Sequence, residues 1–164
     1  MHRHHPGGTQ LTNRNATTTT VVKALPGATW THFACHAHHA APSTGGPRLY
    51  DDMPTIPEIA RLDLAQAELA YLSACSTADR SPDHVEESIN LASAFHLAGF
   101  RHVIASLWPL GDEFAQAAAA FYAALPAIPA ATDATLTLHR ITRDLRANYR
   151  EYPELWAPLI HSGP

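Results

Sequence analysis

The chain has 164 residues, 46% of them hydrophobic, and a formal charge of −4 with its 12 histidines neutral. That length and apolar content suit one ordinary globular core, and a pI near 6.3 without a basic stripe argues against nucleic acid as a partner. No apolar run approaches the ~20 residues that span a bilayer, Met1–Gly8 lacks the apolar segment of a secretory signal, and two cysteines, Cys35 and Cys75, make no disulfide framework, so no membrane association is expected and the thiols fit a reducing, cytoplasmic compartment.

Taken in order, Met1–Asn15 is polar and histidine-bearing (His2, His4, His5) and reads as a disordered or poorly packed lead-in. Thr17–Leu25 predicts a short helix closed by Pro26-Gly27, against the β-branched pull of its threonines. Trp30–Ala37, WTHFACHA, is a short apolar strand that ends in His36. The loop 37–54 follows, rich in glycine, proline and serine. Within it, Leu49 and Tyr50 suggest a short strand or hairpin arm, and Asp51 and Asp52 a solvated turn. Thr55-Ile56-Pro57-Glu58 is a capping box that opens a helix through Arg61.

Glu68–Thr77, ELAYLSACST, begins as an apolar run suited to a strand buried on both faces and ends in small polar residues around Cys75. A polar loop, 78–84, comes next. Ser81-Pro82-Asp83 can start a helix that Val85–Ala98 continues, and Gly99 is placed to stop it in a left-handed cap. His102–Trp108 is the next strand, ended by Pro109. Asp112 is a good N-cap for a helix over Glu113–Leu125, stopped before Pro126. Thr132 or Asp133 caps a last amphipathic helix with Leu136, Ile141 and Leu145 on one side. Arg140, Arg143, Arg146 and Arg150 mostly face water beside Asp144 and Glu151. Tyr152-Pro153 turns the chain into a final strand near Trp156–His161. This alternation predicts an α/β fold: four main strands in a mostly parallel sheet with helices on both faces.

Two strand ends carry chemistry. In open parallel sheets, reactive groups gather beyond the carboxyl ends of the strands, which is where His36 and Cys75 fall, 39 positions apart (75 − 36). If these strands are neighbours, a thiol faces a base, the minimum for nucleophilic catalysis. The plainer alternative is a small buried cysteine ending a strand. Cys35 alternates to the opposite face from His36 and reads as core. A metal hydrolase built on Cys35, His36, His38, His39 and Asp51 lacks a recognised ligand spacing, so no metal or other cofactor is expected.

HFACHA, then LSACST, a helix ending in LAGF, HVIASLWPL and YPELWAPLIHSG, in that order from about Ala16 to Gly163, resemble the CHAT domain. That is the caspase-like domain often attached to tetratricopeptide repeats, in the clan of caspases and separases. The resemblance implies a caspase-like three-layer sandwich and a Cys75–His36 dyad that cleaves a protein or peptide substrate. It also implies an oxyanion hole formed by the backbone N–H groups of Cys75 and Ala37, where the family usually has glycine after the histidine. Asp51 and Asp52 then become candidates for a pocket that receives a basic side chain. The family usually has six strands, beginning before the histidine strand. Residues 16–164 are therefore expected to form a single, partial domain whose missing strands are truncated, supplied by another chain, or absent from a sheet that ends early. A second reading keeps the fold without the activity: a pseudoprotease acting as a binding or regulatory module.

Overall fold

Two strands set the frame because neither has a face that can meet water. In β4 (Leu69–Leu72) and β5 (His102–Ser106) every residue is buried, as central strands covered on both faces require. The computed structural model describes residues 8–35, 37–38, 46–52, 54–73, 83–107, 113–125 and 131–164. Among these, the remaining strands are β1 (Trp30–Phe33), β2 (Ala37–His38), β3 (Gly46–Pro47) and β6 (Leu159–Ser162). The helices are α1 (Thr18–Ala24), α2 (Ile56–Ala60), α3 (Asp83–Ala98), α4 (Glu113–Ala124) and α5 (Ala131–Asn148). The main sheet runs β1-β4-β5-β6. β1, β4 and β5 are parallel, and β6 lies antiparallel against β5. β2 and β3 form a separate small hairpin.

Side chains alternate across a strand, so the sheet splits the core in two. Phe33, Ala70, Leu72, Val103 and Ala105 join Val21, Leu25, Leu91, Phe95 and Phe100 on the side of α1 and α3. Leu69, Tyr71 and Ile104 meet Phe121, Tyr122, Ala134 and Leu138 of α4 and α5 on the other. The result is the expected three-layer α/β sandwich, with helices on both faces of a mostly parallel sheet. β1 forms one end of the sheet among the described residues. A groove of about 840 Å³ runs beside it, lined by Leu11, Val21, Trp30, Phe33, Arg48 and Leu49 among others.

Local signals explain the helix ends. Thr55 and Glu58 form the reciprocal capping box ahead of α2, and Thr17 with Thr20 forms another ahead of α1. The second uses threonine hydroxyls for what a glutamate normally does, which is how a threonine run starts a helix here. Gly99 ends α3 at φ +122. Its N–H donates to the His96 carbonyl (3.0 Å) and the Phe100 N–H to the Phe95 carbonyl (3.0 Å), satisfying carbonyls that the helix end would strand.

The structure departs from the sequence expectation in four places. The hairpin arm is Gly46–Pro47; Leu49 and Tyr50 lie outside any strand. α5 starts at Ala131, so Thr132 and Asp133 fall inside its first turn, where Asp133 suits the positive end of the helix dipole. Leu136 is 56% exposed; Ala134, Thr137 and Leu138 take the core side, because one helical step turns a side chain through 100°. Residues 8–15 are not wholly loose: Leu11 packs against the core and Asn13–Asn15 make a 3-10 turn. The expected cap Asp112 and the strand end Trp108 lie outside the described residues. Arg140, Arg143 and Arg146 of α5 and Arg150 just beyond it are exposed as expected, and Arg146 places its guanidinium 5.1 Å from the Trp156 ring centroid.

Gly99 generates a test. A Cβ there would sit 2.6 Å from the Leu64 carbonyl oxygen at a φ that side chains rarely adopt, whereas a Cβ on Gly27 meets nothing within 4 Å. Gly99→Ala is expected to lower the unfolding free energy by about 2 kcal/mol or more, and Gly27→Ala to stay within about 0.5 kcal/mol of wild type, both read by urea denaturation.

Candidate functional site

β1 and β4 lie side by side, parallel, with Trp30 opposite Leu69 and Phe33 opposite Leu72. His36 is three positions past Phe33 (36 − 33) and Cys75 three past Leu72 (75 − 72), equal counts along the sequence from the last matched pair. Neighbouring strands run about 4.8 Å apart. Both residues themselves lie outside the described residues. β1 and β4 are thus adjacent and co-directional, and His36 and Cys75 follow them in the sequence by the same count.

Upstream of these two residues, two described side chains form a contact that the sequence reading did not single out. His32 Nε2 lies 2.9 Å from Ser73 Oγ, a hydrogen bond between β1 and the residue following β4. The imidazole sits against Tyr71 (centroids 4.9 Å apart) and Tyr122 (5.4 Å). Burial among these rings disfavours the charged form and lowers the His32 pKa from 6.5 to about 4, so the ring is neutral near pH 7. Burial also raises the pKa values of Tyr71 and Tyr122, so both phenols keep their protons. The wall beneath the strand ends is therefore aromatic and uncharged. A faint signal existed in the sequence: a histidine alternating with Trp30 in WTHF has to face a helix layer, where a polar ring needs a partner.

Ala37 occupies β2, with Pro47 opposite it. Asn13 is the only non-glycine residue at positive φ among those described. Alanine at position 37 therefore sits in backbone that any residue adopts, and the departure from glycine imposes no strain there. Asp51 and Asp52 are exposed. Asp51 Oδ1 accepts from the Thr18 N–H (2.8 Å), the Thr18 hydroxyl (3.3 Å) and the Asp52 N–H (2.9 Å), so this carboxylate braces the start of α1. The Thr18 N–H holds its pKa below the usual carboxylate range. Cys35 is half-buried and packs on the same core layer as Phe33. Among the described residues, no three histidine, cysteine or acidic side chains group as metal ligands; His36 and His39 of the metal reading lie outside them.

A second histidine cluster sits at the opposite end of the sheet. His102 Nδ1 lies 2.9 Å from His161 Nε2, with Thr135 Oγ1 3.3 Å from the same nitrogen. His96 bridges the Phe100 carbonyl (2.8 Å) and Ser162 Oγ (3.0 Å). Burial lowers the pKa values of both His102 and His161, and their mutual hydrogen bond needs at least one neutral ring as acceptor. His102 begins β5, away from the carboxyl ends of the parallel strands, so this cluster ties β6 into the fold and stands apart from the candidate site.

In comparison with known proteins, the family model described as CHAT domain matches residues 3–164. No curated protein matches the chain. No helix among the described residues is long and apolar enough to cross a membrane.

The pH dependence of stability follows from His32. Its folded pKa lies below its unfolded one, so the fold favours the neutral ring. Stability is full above pH 6.5 and falls as pH drops toward about 4. This single group accounts for a loss of up to about 3 kcal/mol over that window, with His102 and His161 adding in the same direction. Urea unfolding at steps from pH 7 to 4.5 is expected to show this fall, with a shallower slope in His32→Gln.

Proposed function

The chain belongs to the CHAT domain family, and from that premise we propose that it is a cysteine peptidase acting through Cys75 and His36. One observation carries the reading: β1 and β4 are parallel neighbours whose last matched pair, Phe33 and Leu72, precedes His36 and Cys75 by equal counts. Adjacent strands that leave the sheet in the same direction are what a thiol and a base need in order to meet.

In this mechanism His36 takes the Cys75 proton, and the thiolate attacks the carbonyl carbon of the scissile peptide bond. Negative charge develops on the carbonyl oxygen, and the backbone N–H groups of Cys75 and Ala37 receive it. The imidazolium then protonates the leaving amine, the C–N bond breaks, and a thioester remains. Water, deprotonated by His36, attacks the thioester and releases the new carboxylate and the thiol. No cofactor takes part. Asp51 and Asp52 supply the acidic charge that receives a basic side chain next to the cut. A thiol nucleophile suits a reducing, cytoplasmic setting, and tetratricopeptide-repeat or other regulatory regions are the partners proposed to control access.

Cys35 provides an internal control. A thiol near an imidazolium has a depressed pKa, while burial in apolar surroundings raises it. Iodoacetamide labelling at pH 6.5, read by peptide mass spectrometry, is expected to modify Cys75 before Cys35. His36→Ala is expected to slow Cys75 roughly five- to tenfold: a two-unit rise in pKa costs about fiftyfold in thiolate fraction, partly offset by the greater nucleophilicity of the more basic thiolate. Cys75→Ala is expected to abolish cleavage of peptides with a basic residue before the scissile bond. If Cys75 labels no faster than Cys35 in the folded chain and ignores His36, the peptidase reading fails and the fold serves binding or regulation.

A further inference from the structure

We propose that His32 and Ser73 form a positioning pair for the Cys75–His36 dyad, an inference that rests on the peptidase reading above. The pair is a side-chain hydrogen bond between β1 and the residue that follows β4, and it lies close to where both strands leave the sheet. His32 precedes His36 by four residues (36 − 32), and Ser73 precedes Cys75 by two (75 − 73). The 2.9 Å bond spans the strand that delivers the base and the strand that delivers the nucleophile. It ties His32, one position before the last backbone match at Phe33 and Leu72, to Ser73, one position after it, and so holds the two strand exits at a fixed separation.

A purely structural account treats His32 as a core histidine that has found a partner. Its surroundings argue against that as the whole explanation. The ring packs against Tyr71 and Tyr122, a nest that phenylalanine would fill with no polar atom to satisfy. A buried imidazole gives up solvation that phenylalanine never had. What it adds is direction: a hydrogen bond of fixed length and angle, which apolar contact does not supply. Neutral imidazole carries one N–H and one lone pair, so the bond to the serine hydroxyl forms in either tautomer. Reactive geometry has to be held within a fraction of an ångström, and the position of this bond couples one strand exit to the other.

The test separates positioning from stability. The pH–rate profile of Cys75 alkylation by iodoacetamide is measured alongside the melting temperature for wild type, Ser73→Ala, Ser73→Thr, His32→Phe, the double variant Ser73→Ala/His32→Phe, and His36→Ala. His32→Phe preserves the aromatic packing, so it remains informative if Ser73→Ala folds poorly. Loss of the bond is expected to move the Cys75 midpoint upward toward that of a free thiol and to slow labelling at pH 6.5 by roughly fivefold. Ser73→Thr, which keeps the hydroxyl, is expected to restore the midpoint, and the double variant to label no more slowly than either single one. The inference is overturned if Ser73→Ala and His32→Phe change only the melting temperature and leave the midpoint in place, while His36→Ala still slows Cys75. If His36→Ala has no effect, the dyad itself falls and the pair has nothing to position.

Discussion

The parallel pairing of β1 with β4 is the constraint on which the rest depends. A parallel sheet cannot be built from hairpins; each return to the same end requires a crossover. Between Phe33 and Leu69 the chain therefore makes the β2–β3 hairpin and α2, and between Leu72 and His102 it makes α3. The crossovers place helices on the sheet faces, and the buried strands have to be apolar throughout, as LAYL and HVIAS are apart from their terminal His102 and Ser106. The same constraint sends the C-terminal ends of β1 and β4 out on one side, and His36 and Cys75 come next after those ends in the sequence.

The two helix layers do different work at that end. On the α1 and α3 side, Phe33 packs edge-on against Phe95 at 5.3 Å, and the contact is hydrophobic. On the α4 side, Tyr71, Phe121 and Tyr122 form a linked aromatic group that encloses His32. Burying such rings contributes roughly 1.5–3 kcal/mol each, against about 1 kcal/mol for one neutral hydrogen bond. Packing thus stabilises this end of the sheet, and the His32–Ser73 bond adds little to the total. Its contribution is geometric, which fits a place beside a candidate site better than a place in a uniform core.

Histidine recurs at both ends of the sheet with different consequences. At one end His32 is buried against aromatic rings. At the other, burial first and then the neighbouring histidines disfavour protonation of His102 and His161. In both arrangements burial lowers the pKa values, of His32 at one end and of His102 and His161 at the other, so these three histidines favour the neutral ring in the folded chain and weaken it in acid.

Much of this was legible in the sequence because it is written in local chemistry. Periodicity placed the strands around Leu69–Leu72 and Val103–Ala105, the Thr55–Glu58 box and Gly99 placed helix ends, and the paired HFACHA and LSACST pointed to the family. Each of these depends on residues within a turn or a strand of one another. The misses were of another kind. Leu136 was assigned to the core and faces water, since the rotation of a helix about its axis is set by what it packs against. The hairpin formed at Gly46–Pro47, since pairing needs a partner strand that no local pattern names. His32 and Ser73, 41 positions apart, carry no local signal of each other at all. The sequence by itself determined the main-sheet strands, most of the helices and their order, and it proposed two residues for chemistry; only the tertiary structure decided that β1 and β4 are neighbours in matched register and that an imidazole and a hydroxyl join them, because such contacts arise from the packing of the whole sheet between its helix layers.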